Sequence, residues 1–197
     1  ILEAFSIVVK AVPDATLTIV GDGDTPDWIN GLQDYAIQHR IDQSITFCGY
    51  QLETKPYYQV ASVMAMTSLF ESFSILAESK GYGLPVVMYE LPNLELIKDK
   101  KGIISVPQRD VLALANGLIA LLKDDKLRQE MGHDARNSLN KFLTFDIQAA
   151  WKNLFDSFVS PLKYQPDHNS VLMLDMLLNN VVHGIDVIQS YSSNYGN

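Results

Sequence analysis

Cysteine is almost absent from this chain: Cys48 is the single one among 197 residues, so no internal disulfide can form. A chain without disulfides is typical of a reducing compartment, and we expect a cytoplasmic protein, with or without peripheral contact to a membrane. Cys48 lies in a strand-like run, "ITFCGY", with no visible base beside it. We therefore interpret it as a small buried apolar residue and not as a nucleophile.

Positive charge is also scarce, because 15 Lys and Arg residues stand against 23 Asp and Glu residues, a formal net charge of -8. The sequence contains no Lys- or Arg-rich run, so nucleic-acid binding is not expected. A small phosphorylated ligand is still compatible with this charge, since backbone amides can hold a phosphate. The four histidines are scattered and form no cluster with carboxylates, so we expect no metal site.

Long uninterrupted apolar runs are missing as well. The most apolar segment, residues 171–188, is broken by Asp, Asn and His too often for a membrane span of about 20 apolar residues. We interpret it as a helix that packs on the domain or on a partner, and we predict self-association through it. Pro161 and Pro166 break the preceding pattern, so residues 161–197 are predicted to form a helical tail with a disordered end.

What the sequence does contain is a regular alternation of strands and helices, which is typical of a parallel sheet covered on both faces. The predicted strands are "TLTIV", "ITFCGY", "SVMAMTS", "PVVMY" and "GIISV". The predicted helices are an opening helix, residues 26–40, "ETKPYYQVA", residues 75–82, "NLELIKD", "DVLALANGLIALLKD", "DKLRQEMGHDARNSLNKF" and "FDIQAAWKNLFDSFV". The fold class is therefore α/β, a Rossmann-like doubly wound parallel sheet over residues 1–160, with a helical C-terminal extension.

Two helices carry more specific expectations. The opening helix has apolar residues at helical spacing from Ile1 onward but no capping signal, which predicts a domain truncated at its N-terminus. The helix at 26–40 is expected to turn one apolar face to the core. That face would consist of Trp28, Ile29, Leu32, Tyr35, Ala36 and His39.

In an open parallel sheet, ligands bind at the carboxyl ends of the strands. Four turns lie at these ends, namely residues 21–23, 49–51, 68–74 and 89–92. The Gly-Asp-Gly turn is weak support for a dinucleotide site, because Pro26 stands where a third glycine is needed. A nicotinamide oxidoreductase is thus disfavoured, and an ordinary turn with Asp24 or Thr25 capping the next helix is an open alternative.

The segment at 68–87, "SLFESFSILAESKGYGLPVV", is more informative. It predicts a crossover whose helix N-terminus points to the ligand edge, where its free amides and dipole could hold a phosphate. Glu71 precedes this helix and Glu78 lies about one turn inside it, and each carboxylate could accept hydrogen bonds from vicinal hydroxyls. A phosphate with hydroxyls on both sides describes a nucleotide sugar. The alternative is that Glu71 is a surface loop residue and Glu78 a solvated helix residue.

These stretches resemble the donor-binding half of retaining glycosyltransferases of family 4, which have the GT-B fold of two facing Rossmann-like domains. The resemblance covers roughly residues 1–159 and is most specific in the two-glutamate segment that is followed by Gly-Leu-Pro-Val-Val, "ESFSILAESKGYGLPVV". It implies a hexosyltransferase whose donor is a nucleoside diphosphate sugar such as a UDP-sugar, with no cofactor and no metal. It also implies a partner domain for the acceptor, which this sequence does not include.

The resemblance also implies a role for individual residues. Glu71 would be catalytic and contact the transferred sugar, and Glu78 would bind the ribose. The donor site would further include Gly21 and Gly23 at the interdomain cleft, Tyr50 and Gln51 beside the base, and the amides of Phe73, Ser74, Ile75 and Leu76 on the distal phosphate.

Two departures from the family pattern matter. Six residues separate Glu71 from Glu78 where the family has seven, and one residue rotates a helix position by about 100°. We expect the loop to absorb this deletion and Glu78 to stay in place. The family's phosphate-binding Arg and Lys would precede the opening helix and are absent, so we expect this chain alone to be inactive.

The leading hypothesis is thus the donor-binding, C-terminal domain of a retaining glycosyltransferase. Two alternatives remain open. One is a non-catalytic module that binds a nucleotide sugar or serves in assembly, and the other is a nucleotide-sugar epimerase, which shares the two-domain fold.

Overall fold

The computed structural model of this chain describes residues 1–23, 26–69, 71, 73–91, 94, 98–143 and 146–159. Three predictions lie outside these residues: the helical tail at 161–197 with its self-association through 171–188, the capping role of Asp24 or Thr25, and most of the short helix "NLELIKD".

The described elements alternate as the sequence predicts. The strands are β1 (Leu17–Ile19), β2 (Ile45–Phe47), β3 (Met64–Met66), β4 (Val86–Tyr89) and β5 (Ile103–Val106). The helices are α1 (Leu2–Ala11), α2 (Pro26–Gln38), α3 (Lys55–Val60), α4 (Phe73–Gly81), α5 (Val111–Lys123), α6 (Asp125–Asn137), α7 (Asn140–Leu143) and α8 (Ile147–Val159), with a 3-10 turn at Asp42–Ser44. The predicted α/β class is confirmed.

Several helix boundaries differ from the prediction by one or two residues. Helix α4 begins at Phe73, two residues before the predicted start at residue 75. The segment "DKLRQEMGHDARNSLNKF" is divided into α6 and α7, where the prediction has one helix. At the division, the hydroxyl of Ser138 donates a hydrogen bond of 2.7 Å to the carbonyl of Ala135, and a serine that bonds a nearby carbonyl weakens a helix interior.

All strand pairs are parallel. Strand β1 pairs with β2, with Leu17 opposite Ile45, and the order of the other three strands is β3-β4-β5. Within the described residues no ladder joins β1 to β3, so the sheet is divided into a two-stranded and a three-stranded part.

Helices cover both faces of the three-stranded sheet, which makes it doubly wound. Val87 and Tyr89 of β4 pack into an apolar cluster with residues of α1 and α5, which we call the α1–α5 cluster. Val86 and Met88 point the other way and pack with Leu76 of α4, in what we call the α4 cluster. Successive side chains of a strand alternate between faces, so the continuous apolar run "VVMY" is buried on both.

The predicted core face of α2 is partly wrong. Ala36 is buried, but Trp28 is 52% exposed and His39 is also exposed. The indole of Trp28 lies over the preceding glycine turn, since a Cβ at Gly23 would come within 2.4 Å of it. His39 stacks on Tyr35 at the protein surface, with ring centroids 3.9 Å apart.

Helix α8 is amphipathic as predicted, but its apolar side faces solvent. Ile147, Trp151, Phe155 and Phe158 recur at helical spacing, and each is exposed. Trp151 and Phe155 stack with their centroids 5.7 Å apart, so one aromatic row runs along this helix. Among the described residues, no helix has both the length and the apolar character needed to cross a membrane.

Candidate functional site

The turns after β1 and β2 meet at one edge of the molecule. The amide of Gly21 donates a hydrogen bond of 2.9 Å to the carbonyl of Gly49, and the amide of Cys48 donates one of 2.9 Å to Ile19. Gly21 has φ +129° and Gly49 has φ +64°, values that favour glycine. A Cβ at Gly49 would also lie 3.2 Å from a carboxylate oxygen of Asp22. Two predicted ligand-edge turns are therefore held together by backbone geometry.

Gly23 is the other glycine that the sequence predicts at this edge, and local packing requires a glycine there. The position of a Cβ there is occupied by the ring of Trp28, so the helix that follows the turn requires this glycine. The requirement holds whether or not a ligand approaches the turn.

Next to these turns lies an open cleft of about 590 Å³. Its lining consists of Tyr50, Gln51, Leu52, Glu53, Pro56 and Tyr57. Tyr50 is 68% exposed, so its ring is available as one wall. The side-chain amide of Gln51 donates a 2.7 Å hydrogen bond to the carbonyl of Cys48, which fixes this side chain to the turn.

Cys48 is half-buried and has a polar neighbour in the cleft wall. A hydrogen bond with Cys48, together with burial, raises the pKa of the Tyr57 hydroxyl. Cys48 thus contributes to the order of the cleft wall, where the sequence suggested only a small apolar filler.

The first turn of α4, Phe73 to Leu76, starts near the carboxyl end of β3. The side chain of Leu76 is fully buried in the α4 cluster, which anchors this turn, whereas Phe73 and Ser74 are exposed. Amides of a first helical turn point along the axis and can hold an anion, assisted by the helix dipole. The structure therefore places all four predicted phosphate-binding residues in one helical turn, of which Phe73 and Ser74 are exposed.

The two glutamates lie within electrostatic reach of one hydroxyl group, that of Tyr58 on α3. Burial, a hydrogen bond to Glu78 and the negative charges of Glu78 and Glu71 raise the pKa of Tyr58 to about 12. Glu71 is half-buried and Glu78 is exposed. The charges of both carboxylates thus reach the same phenol, that of Glu78 more strongly than that of Glu71.

Tyr58 itself is absent from the residues that the sequence singled out. The available signal is the pair "YY" in the short helix α3, because adjacent helical residues point about 100° apart. Tyr57 lines the cleft, and Tyr58 bonds Glu78. Helix α3 thus connects the cleft to the glutamates, a relation that only the packing of α3 against α4 reveals.

Lys80 is a second residue that sequence reasoning passed over. It is fully buried on α4, two residues after Glu78, and therefore points to nearly the opposite side of the helix. Burial lowers the pKa of Lys80 to about 8, with Asp99 opposing the shift and Lys141 and Lys101 adding to it. The amine of Lys80 thus lies outside the candidate site. It lies on the buried side of α4, the side that fixes the orientation of this helix.

The described residues include no group of three or more His, Cys, Asp or Glu side chains that could hold a metal ion. His133 lies in α6 and His39 directly after α2, far apart in the chain. The other two histidines, His168 and His183, are outside the described residues.

A family of known proteins matches most of this domain. The sequence model described as "Glycosyl transferases group 1" matches residues 1–124. A poly(glycerol-phosphate) alpha-glucosyltransferase of Bacillus subtilis is 28% identical over 145 residues, which cover 72% of this chain and 21% of that protein. The chain spans between 21% and 44% of the length of the first curated relatives that it matches.

Solved structures show the same fold. The C-terminal domain of a glycosyl transferase group 1 family protein, LpcC from Francisella tularensis, has a TM-score of 0.64 at 23% identity, with 75% of this chain and 78% of that chain covered. The pneumococcal O-GlcNAc transferase GtfA, in complex with UDP and GlcNAc, has a TM-score of 0.67 at 22% identity, with 81% of this chain and 32% of that chain covered. At these identities the likenesses show a shared fold.

Proposed function

Because the chain belongs to the glycosyl transferases group 1 family, we propose that it is the donor-binding domain of a glycosyltransferase that uses a nucleoside diphosphate sugar. The observation that carries the proposal is the placement of Glu71 two residues before α4 and of exposed Glu78 within that helix, on either side of its first turn. Hydroxyl acceptors thus lie next to amides that can hold a phosphate, which matches the two chemical parts of such a donor.

In the proposed complex the base occupies the cleft beside Tyr50 and Gln51. The cleft volume of about 590 Å³ is within the range of about 300–1,000 Å³ that is usual for small-molecule sites. The presence of UDP in the GtfA structure supports UDP as the nucleotide. Glu78 receives the ribose hydroxyls, the first turn of α4 holds the distal phosphate, and Glu71 contacts the sugar.

The proposed reaction is transfer of a hexose to an acceptor hydroxyl with retention of configuration. The bond from the anomeric carbon to the diphosphate oxygen breaks, and the positive end of the α4 dipole stabilises the charge that develops on the leaving phosphate. The acceptor oxygen bonds to the same face of the sugar, and its proton passes to the departing diphosphate oxygen. The name of the Bacillus subtilis relative, an alpha-glucosyltransferase, supports a hexose as the transferred group.

We further propose that this chain alone binds the donor without transferring the sugar, because it spans only part of the length of its relatives. Transfer is best tested in a polypeptide that also carries an acceptor-binding domain, with UDP-glucose and UDP-GlcNAc as donors. The anomeric configuration of the product, measured by NMR, tests retention, and an inverted product contradicts it.

Binding is tested in this chain by calorimetry with UDP. Glu78→Gln removes a charged acceptor of two hydroxyls, and hydrogen bonds to charged groups are worth about 1.5–3 kcal/mol, so we expect at least a tenfold loss of affinity. Glu130→Gln, at a site on α6 where the side chain is 63% exposed, is the matched control and should leave affinity unchanged. Failure of the wild-type chain to bind UDP contradicts the proposed function.

A further inference from the structure

We propose that Tyr58 is a positioning residue, whose hydroxyl holds the carboxylate of Glu78 in the orientation that receives the ribose hydroxyls of the donor. The inference rests on the proposed function and extends it to a residue that does not contact the reacting atoms.

The stacking of Tyr58 on Tyr82 places its ring next to Glu78. Tyr82 directly follows α4, and its amide donates a hydrogen bond of 3.1 Å to the carbonyl of Glu78, so the two residues lie one helical turn apart. The ring of Tyr58 stacks on the ring of Tyr82, with centroids 5.3 Å apart and planes 8° from parallel. The hydroxyl of Tyr58 is then close enough to the carboxylate of Glu78 for a hydrogen bond between them to raise its pKa. The stacked ring thus limits where this donor can lie.

Glu78 needs such a partner because it is exposed. A free glutamate side chain samples many rotamers in water, and a ligand that must order it loses affinity. A carboxylate has about four acceptor positions, so one hydrogen bond from Tyr58 leaves the others for two ribose hydroxyls. The orientation of Glu78 is thus set before the nucleotide arrives.

The Tyr58 hydroxyl also keeps its proton. Burial, the charge of Glu78 with its hydrogen bond, and the charge of Glu71 raise the pKa of Tyr58 to about 12. The hydroxyl therefore remains a hydrogen-bond donor throughout the physiological range.

The test compares UDP with its 2′,3′-dideoxy analogue, because the difference between them isolates the ribose contacts. We expect the wild-type chain to bind UDP at least tenfold more tightly than the analogue. Tyr58→Phe keeps the stacked ring but removes the donor, so the preference should fall about fivefold while affinity for the analogue stays unchanged. Tyr82→Phe, which keeps a ring at the stacking position, is the matched control and should retain the preference.

A double-mutant comparison separates positioning from a general structural effect. In the Glu78→Gln background, Tyr58→Phe should produce no further loss of the preference, because its effect acts through the carboxylate. An equal loss in both backgrounds overturns the inference, as does an unchanged or tighter binding of UDP by Tyr58→Phe alone. If the wild-type chain binds neither nucleotide, the proposed function fails and the ribose role of Glu78 with it. If the wild type shows the preference and Tyr58→Phe keeps it, the inference alone fails.

Discussion

Replacement of Lys80 by methionine should stabilise this protein. Lys80 is fully buried on α4, and burial is the largest cause of its lowered pKa, ahead of the opposing charge of Asp99. Lys80→Met keeps an unbranched side chain of similar length and removes the buried charge. The rest of the α4 cluster can then pack around an apolar group without a change in volume large enough to open a cavity.

The size of the effect follows from the pKa. A fall from 10.5 to about 8, at 1.36 kcal/mol for each pH unit, sets an upper limit of about 3 kcal/mol. Lys80 also makes an interaction in the folded chain, and the loss of that interaction in Lys80→Met offsets part of this limit. We therefore expect a gain of about 1–2 kcal/mol at pH 7.

The pH dependence gives a sharper signature than the gain itself. Below pH 8 the lysine is charged in both the folded and the unfolded chain, so the penalty is fully present. Between pH 8 and 10.5 the folded chain loses this proton before the unfolded chain does, and the stability of the wild type rises relative to Lys80→Met. The difference between the two proteins should therefore shrink across this window.

Urea unfolding of both proteins at pH 7 and pH 10 measures this difference, and the comparison cancels groups that titrate equally in both. Lys126→Met, at a position on α6 where the side chain is 87% exposed, is the control and should shift the free energy of unfolding by less than about 0.5 kcal/mol. A less stable Lys80→Met at pH 7, with the same deficit at pH 10, would show that the buried ammonium is compensated by its contacts, and the reasoning would be wrong.

Three further substitutions test the packing, each by the midpoint of denaturant unfolding at constant m-value. Gly102→Ala should cost about 2 kcal/mol or more, because φ is +69° and a Cβ would lie 2.3 Å from that of Ala135; near-wild-type stability would show that this approach is not tight. Gly31→Ala should gain about 0.5–1 kcal/mol, because α2 leaves open space around this position, and a loss would contradict that placement. Asp124→Ala should cost about 1 kcal/mol, because its carboxylate accepts a 2.9 Å hydrogen bond from the amide of Leu127 at the start of α6, and Asp124→Asn should retain most of it.

The order of strands and helices was predictable from the sequence because each strand is a compact apolar run next to a turn residue. Strand β4 shows this most clearly, since its four residues are all buried and follow a proline. The ends of the helices were harder to predict from the sequence. Phe73 and Ser74 carry no strong signal, so the start of α4 depends on how Leu76 docks in the core.

The candidate site was predictable as a set of turns and glutamates, but not as an arrangement. The spacing of Glu71 and Glu78 states how far apart they are along the chain. Only the folded structure shows that the charges of both reach Tyr58, 20 residues before Glu78. Trp28 was placed in the core because periodicity alone cannot tell a helix face that meets the core from one that covers a turn. Lys80 has no sequence signal at all, since burial of a lysine depends on neighbours from distant segments.

The unequal cover of the two sheets has a consequence for amide hydrogen exchange. Strands β1 and β2 pack Leu17 and Ile45 on the α1–α5 cluster, but Thr18 and Thr46 on their other face are exposed, whereas β4 is buried on both faces. Amides of β1 and β2 should therefore exchange through local openings of lower free energy than those that expose β4. The glycine turns follow β1 and β2, which are covered on one face. The first turn of α4 follows β3, which belongs to the sheet that is covered on both faces. A nucleotide that contacts the glycine turns and the first turn of α4 would slow amide exchange most in β1 and β2. Slower exchange in these two strands would therefore report binding even without a visible movement of a loop.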